Sequence, residues 1–181
     1  MTAPVDLRTE RLLLRSFRRS DIPQIVHLAG AREVAATTLR IPHPYTESDA
    51  DYFLSTFEAE CRNGSAAVFA VTLNEGAELC GAVGLHIEAP HARAELGFWI
   101  GVPYWGRGYV TEAARAVMKY GFETLKLHRI YAFHFKDNVA SKRVLFKLGM
   151  RYEGCARHHI QKWDQFIDLE NYGLLAEEYR P

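Results

Sequence analysis

Apolar and polar positions along this chain recur with two periods, and the switches between them mark its elements. RLLLRSF (Arg11 to Phe17) is an aliphatic run of strand length. AAVFAVTL and ELCGAVGLHI are two more, joined by NEGA, which predicts a hairpin. In RAELGFWIGV (Arg93 to Val102), Leu96, Phe98 and Ile100 fall on one face and Glu95, Gly97 and Trp99 on the other, as in a strand. The period then changes. Val110, Ala113, Ala114, Val117, Met118, Gly121, Phe122 and Leu125 keep one helical stripe, with Glu112, Arg115, Lys119 and Glu123 largely opposite. HRIYAFHF (His128 to Phe135) returns to strand, and YEGCARHHI and FIDLENYGLL close the sheet.

Helix boundaries follow from capping chemistry. Asp21 predicts the N-cap of a short helix through Gly30, with Pro23 in its first turn. IPHPYT (Ile41 to Thr46) is proline-locked loop, and Thr46 with Asp49 has the spacing of a capping box opening an amphipathic helix from Asp49 to about Arg62. Asn138 caps a helix bearing Ala140, Val144, Leu145 and Leu148, which Gly149 ends in a left-handed turn. Hairpins first and one strand–helix–strand crossover near the end predict an α+β fold, a mixed sheet with helices on its faces. With no repeat or linker, residues 1–181 are expected to form one domain.

Composition narrows the function mainly by exclusion. Lys plus Arg and Asp plus Glu both number 22, a balance that argues against nucleic-acid or membrane-surface binding. No apolar run reaches the ~18 residues of a membrane span. Cys61, Cys80 and Cys155 share no metal or redox spacing. The N-terminal MTAPVDLRTERLLLRSF has no secretion-signal pattern, so a cytoplasmic location is expected. His158 and His159, adjacent on a predicted strand, point to opposite faces, and no spaced His/Cys/Asp set suggests a metal.

The chemistry gathers at PYWGRGYVTEAARAVMKYGF (Pro103 to Phe122), where two glycines flank an arginine immediately before a helix. Gly106 and Gly108 leave the backbone bare. The helix behind them offers about four unpaired N–H groups and roughly half a positive charge, together a seat for phosphate. Arg107 adds a charge-assisted contact. GRGYVT lacks the Gly-Lys-Ser/Thr of a nucleotide P-loop. A dinucleotide fingerprint needs a third glycine where Thr111 stands, and Asp137 is only a partial match to its ribose-binding acid.

PYTESDADYF, AELGFWIG, YWGRGYVTEA and DNVASKRVLFKLGMRYEG, in this order and over nearly the whole chain, resemble the GNAT N-acetyltransferases, and within them the RimJ/RimL-like branch. The resemblance implies a mostly antiparallel sheet with a splayed fourth strand and a pyrophosphate-binding strand–loop–helix. It implies acetyl-coenzyme A as cosubstrate, its pyrophosphate held by Trp105, Gly106, Arg107, Gly108, Tyr109, Val110 and Thr111. Trp105 and Val110 depart from the family pattern, which begins with Gln or Arg and ends with Gly or Ala; contacts made by backbone N–H groups tolerate both.

For the chemistry, the resemblance implies that the fourth strand, through Phe98, Trp99 and Ile100, pairs its backbone with the pantetheine arm, Gly97 permitting a bulge. Glu95 is placed near the acceptor amine as general base. An unshifted glutamate near ~4.3 is a weak base, and burial raises it. Asn138 would hold the arm by amide hydrogen bonds and Ser141 would stabilise the departing thiolate, so these two join Glu95 as catalytic candidates. Val144, Phe146 and Lys147 lie further along that helix, toward the adenosine or its phosphates. Neither a Ser nucleophile elbow nor a base beside Cys155 is present, which favours direct attack by the amine in a ternary complex.

The acceptor expected from the branch is a protein N-terminal α-amino group. A polyamine, an antibiotic or another small amine is the alternative, and a non-catalytic acyl-coenzyme A-binding or sensing module is a third reading, which would need neither Glu95 nor Ser141. Acceptor choice is expected to lie within Asp21 to Arg62 and His158 to Gln165. His43 and Tyr45 are candidate contacts, and Asp49, Asp51, Glu58 and Glu60 are candidate acids, although these fit the wet face of a helix as well. Monomer and homodimer both fit.

Overall fold

The computed structural model describes residues 5–75 and 77–180, within which eight strands form one sheet in the order β1-β2-β3-β4-β5-β6-β8-β7. These are β1 (Leu7–Arg8), β2 (Leu12–Arg15), β3 (Ala66–Leu73), β4 (Leu79–Glu88), β5 (Arg93–Ile100), β6 (Arg129–Phe135), β7 (Arg151–Lys162) and β8 (Gln165–Leu175). The helices are α1 (Ile22–Ala29), α2 (Arg32–Ala36), α3 (Glu47–Asn63), α4 (Tyr109–Lys119) and α5 (Val139–Lys147). Every neighbouring pair is antiparallel except β5 and β6, which are parallel and joined through α4. This is the mixed α+β sheet that the pattern predicts.

Local chemistry explains most boundaries. The Thr46 Oγ1 accepts from the Asp49 N–H at 3.3 Å and the Asp49 carboxylate from the Thr46 N–H at 2.8 Å, so α3 begins at Glu47, two residues before the expected start. Asn138 Oδ1 accepts from the Ser141 N–H at 3.0 Å and starts α5. Gly149 (φ 77°) follows that helix in the left-handed conformation.

Asp21 departs from expectation. Its carboxylate does not cap α1 but takes a bidentate bond from Arg15, 2.8 Å on each arm, and a third from the Arg18 N–H at 2.7 Å. A charged fork outcompetes a neutral helix N–H for the same oxygens. Burial pushes this carboxyl up, and the Arg15 and Arg18 bonds outweigh it, holding Asp21 below the usual aspartate range.

The core has two layers, one on each sheet face. Val117 and Met118 of α4 pack with Leu12, Phe69, Leu85 and Ile130, while Ile25 of α1 and Leu54 of α3 pack with Ala70 on the other side. Full burial of a side chain such as Met118 is worth about 1.5–3 kcal/mol, so the α4 stripe is enough to fix that helix on the sheet. The stripe runs as predicted through Phe122 to the half-buried Leu125, although from Tyr120 to Thr124 the chain widens into a π-helical turn, closed by the Leu125 N–H on the Tyr120 carbonyl at 3.0 Å. In α5 the stripe is narrower than expected: Leu145 and Leu148 are buried, Val144 is half-buried and Ala140 is exposed.

Some features carry no period to read. β1 is two residues long and α2 five. The NEGA turn joins β3 to β4, though its Gly76 lies outside the described residues. The β7–β8 pairing shifts register between Ala156 and Ile160, with His158 at φ 48°, so the alternation expected of His158 and His159 fails at a bulge.

Candidate active site

β5 and β6 run side by side only briefly. Arg93, Ala94 and Glu95 pair with Arg129, Ile130 and Tyr131, after which the strands part. From Leu96 onward β5 keeps only its β4 partner, in one unbroken register from Arg93–Glu88 to Ile100–Gly81. The strand therefore splays without the bulge expected at Gly97: what is lost is the β6 pairing.

That register decides which main-chain groups face the gap. The Gly101 N–H donates to the Cys80 carbonyl at 2.9 Å, so by antiparallel alternation Trp99 and Gly97 also direct their N–H and C=O toward β4. Leu96, Phe98 and Ile100 direct theirs into the gap. The Ile100 carbonyl is already taken by the Trp105 indole N–H at 2.7 Å. Of the strand residues expected to present backbone there, Phe98 and the Ile100 N–H do so, whereas Trp99 does not.

Both helices that follow the parting strands start at the open end of the fork, because β5 leads into α4 and β6 into α5. The carboxyl ends of parallel strands are where open sheets bind ligands. At α4, Gly106 (φ 75°) and Gly108 (φ 80°) are left-handed, a conformation that costs a non-glycine residue roughly 1–2 kcal/mol. Among the described residues, the main-chain N–H groups of Gly106, Arg107, Gly108, Tyr109, Val110 and Thr111 have no acceptor in the chain, the first helix-closing bond being Glu112 N–H to the Gly108 carbonyl. Six consecutive bare donors at a positive helix end form an anion seat. The two glycines that the sequence singles out hold the left-handed positions of this turn.

Sequence reasoning missed what anchors the seat. Arg11 donates to the Arg107 carbonyl at 3.0 Å and to the Glu112 carboxylate at 2.7 Å, and its guanidinium lies 4.8 Å from the centre of the Tyr109 ring. Thr9 Oγ1 and the Arg11 N–H also donate to Glu112, at 2.6 and 2.9 Å. These partners are about a hundred residues apart, and no spacing pattern links them.

A cavity of about 550 Å³ fills the fork and extends beneath α3 and the 37–45 loop. It gathers Glu95, Phe98, Trp99 and Ser141 of the expected site, together with Phe133, His134 and Phe135 of β6. Ile100, the glycine turn, Asn138, Phe146 and Lys147 are not among its lining. Asn138 spends its side-chain oxygen on the α5 cap, and Phe146 stands on the surface, 78% exposed. Ser141 is half-buried.

Glu95 sits at the crotch of the fork and, among the described residues, has no hydrogen-bond partner. Burial pushes its carboxyl above the usual glutamate range, Arg40 draws it back, and Glu88 pushes it further up. Glu88 is committed elsewhere, to Arg93 at 2.7 and 3.0 Å and to the Tyr131 hydroxyl at 2.8 Å. Such a half-buried, unpaired carboxyl suits proton acceptance from an amine. Directly opposite on β4 stands His86. Its Nε2 lies 3.1 Å from Arg40 Nη1 and its Nδ1 3.8 Å from Glu60 Oε2. A guanidinium only donates, so His86 Nε2 accepts and the ring is neutral, as its burial also favours. Among the described residues, no group of three or more His, Cys, Asp or Glu side chains could hold a metal ion. Neither His86 nor Arg40 stands out in sequence.

Comparison with known proteins agrees with this geometry. A family model described as "Acetyltransferase (GNAT) domain" matches residues 11–151. An uncharacterized N-acetyltransferase of Bacillus subtilis, YnaD, is 32% identical over 174 residues, covering 96% of this chain and 98% of that one. The crystal structure of a GNAT-family acetyltransferase from Bacillus anthracis superposes with a TM-score of 0.84 at 32% identity, over 96% of this chain and all of that one. Mycobacterium smegmatis RimJ, solved with a coenzyme A disulfide, shares the fold with a TM-score of 0.84 at 22% identity, covering 96% and 87%. No helix among the described residues is long and apolar enough to cross a membrane.

Proposed function

The chain belongs to the GNAT acetyltransferase family and is an acetyl-CoA-dependent N-acetyltransferase; from that premise we propose that its fork, glycine turn and half-buried glutamate divide the work of acetyl transfer to a primary amine by direct attack. The N–H groups of Gly106 to Thr111 receive the diphosphate, with Arg107 at its edge. The gap-facing groups of Leu96, Phe98 and Ile100 pair with the amide-bearing pantetheine arm as an added strand would. Acetyl-CoA supplies an activated acyl group with a thiolate as leaving group.

Glu95 takes a proton from the bound ammonium, directly or through one water, leaving a neutral amine. The nitrogen lone pair forms a bond to the thioester carbonyl carbon, and the carbonyl electrons move onto oxygen, which the bare N–H groups of the fork stabilise. As the C–S bond breaks and the carbonyl re-forms, the Ser141 hydroxyl donates a hydrogen bond to the sulfur, and the extra proton on the new amide nitrogen passes to the departing thiolate or to solvent. Asn138 holds the start of α5, and thereby Ser141, in place. Phe146 and Lys147, on the outer surface of α5, are assigned to the adenosine end.

The observation that carries this reading is the fork itself, an unpaired strand edge with a half-buried carboxylate at its apex that has no partner among the described residues. A thiol-release assay with acetyl-CoA and a panel of primary amines tests it, together with calorimetry of acetyl-CoA binding to the wild type and to Gly108→Glu. The variant places a negative side chain at the diphosphate seat and is expected to weaken binding at least about 100-fold, like charges at close range costing several kcal/mol. Unchanged affinity in a folded Gly108→Glu protein would move the diphosphate elsewhere.

A further inference from the structure

Resting on the reading of Glu95 as the base, we infer that Lys162 is a positioning residue for acetyl transfer: from the tip of the β7–β8 hairpin it holds Arg40 against His86 and beside the Glu95 carboxylate. Arg40 stands in the loop of residues 37–46 that joins α2 to α3 over the cavity. Among the described residues, the main-chain groups of residues 39–45 make no bond to other main chain, so no helix or strand ladder fixes this segment. Lys162 supplies the tie instead. Its ammonium donates to the Ile41 carbonyl at 2.8 Å and to the Leu39 carbonyl at 3.4 Å, one on each side of Arg40. Lys162 is 9% exposed and, among the described residues, bonds to no carboxylate; burial draws its ammonium below the usual lysine range. Lysine is seldom buried without an acid, and this one gives its donors to a single loop. The next residue adds a second tie, since the guanidinium of Arg32, at the start of α2, lies 5.6 Å from the centre of the Trp163 ring.

The loop carries its effect into the site through Arg40. His86 and Glu95 are directly opposite in the β4–β5 register, so their side chains share a face with Cβ atoms about 4.5–5.5 Å apart. Arg40 Nη1 lies 3.1 Å from His86 Nε2, and all three residues border the cavity. The Arg40 side chain is otherwise exposed, so where its guanidinium rests depends on where the loop holds its Cα. Around Glu95 stand Glu88 and His86 from β4, Tyr131 opposite it on β6, and Glu60 from α3, whose Oε2 is 3.8 Å from His86 Nδ1. Arg93, two residues earlier on β5, is bonded to Glu88 at 2.7 and 3.0 Å. Among the described residues, Arg40 is the one cation lining the cavity, and it draws the Glu95 carboxyl down against burial and Glu88. Lys162 thereby acts on the base across a span of sequence that no local pattern links.

Carboxyl-carbon NMR of protein isotope-labelled at glutamate, titrated between about pH 4 and 8, tests this; the Glu95 signal is the one that Glu95→Gln removes. In Lys162→Met the Glu95 midpoint is expected to rise, because Arg40 is no longer held beside it. Arg40→Met should raise it as well, and the double variant no further than Arg40→Met alone, as two residues acting through one contact require. Unchanged calorimetric affinity for acetyl-CoA reports that the variants are folded. Thiol release at saturating acetyl-CoA, measured with spermidine, 2-phenylethylamine and an alanine-initiated hexapeptide, should show the acid limb of kcat moving to higher pH by the same amount as the midpoint. A wild-type midpoint in folded Lys162→Met, or a double variant shifted beyond Arg40→Met, would overturn the brace and leave acetyl transfer standing. An Arg40→Met midpoint that does not rise would overturn it whether or not Lys162→Met folds. A midpoint that moves while no amine releases thiol would overturn the base role of Glu95 and, with it, the part given to Lys162 in catalysis.

Discussion

Replacing Glu95 by Gln separates catalysis from folding, because the carboxylate has no bond in the chain to lose. The amide keeps the shape of the side chain and removes only its ability to accept a proton. Loss of a general base costs about 10²- to 10⁴-fold in turnover, or about 2.7–5.5 kcal/mol of barrier. Acetyl-CoA contacts are untouched, so the loss falls on kcat and the KM for acetyl-CoA stays constant. Stability should move the opposite way. The carboxyl is raised in the folded protein, chiefly by burial, so its ionised form is less at home in the fold than in the unfolded chain. Its contribution to stability is full below the ordinary glutamate value of about 4.3 and is lost as pH rises through the raised folded value. Glutamine has nothing to lose over that range, so Glu95→Gln should melt above the wild type at pH 8, with the difference vanishing near about pH 4. Thiol-release kinetics between pH 5 and 9 complete the test: wild-type kcat should fall on the acid side through the raised carboxyl value, a limb that the variant lacks. Turnover within about threefold of the wild type, or a lower melting temperature at pH 8, would refute the assignment of Glu95.

Two further outcomes follow from the same geometry. Ser141→Ala should lower kcat by about 10- to 100-fold, the equivalent of one hydrogen bond to a charged group, with acetyl-CoA affinity by calorimetry unchanged; undiminished turnover would remove the hydroxyl from the reaction. Asp21→Ala strands the Arg15 guanidinium, whose side chain is 7% exposed, and should cost about 3–5 kcal/mol in urea unfolding. Because the Asp21 carboxyl is held low in the fold, its contribution is present above the ordinary aspartate value and lost as pH falls through the depressed one, so the two proteins should converge in strong acid.

Periodicity and capping served well wherever one short segment holds the whole cause. The α4 stripe, the Thr46–Asp49 box, the Asn138 cap and the left-handed Gly149 all depend on residues within a few positions of each other. Where a distant partner competes, local reading failed. Asp21 has the chemistry of a cap and was claimed by Arg15 across a turn, while Ala140 sits on an apolar period over a part of α5 that meets solvent. Trp99 was grouped with Phe98 because both lie on one strand, yet the β4 register turns their main chains in opposite directions.

The GNAT family was legible because its resemblance rests on segment-local parts: glycines at left-handed positions, a helix start behind them, an acid on an alternating strand, and an Asn-x-x-Ser helix opening. The chain's order of residues was sufficient to specify each of these, since backbone conformation and side-chain periodicity are set over a few bonds. Only the folded molecule decided that β5 would lose its partner after Glu95, that Arg11 would brace the glycine turn, and that Arg40 would lean on His86. Those arrangements join residues forty to a hundred positions apart through burial and charge, and the interactions exist only once the sheet has closed around them.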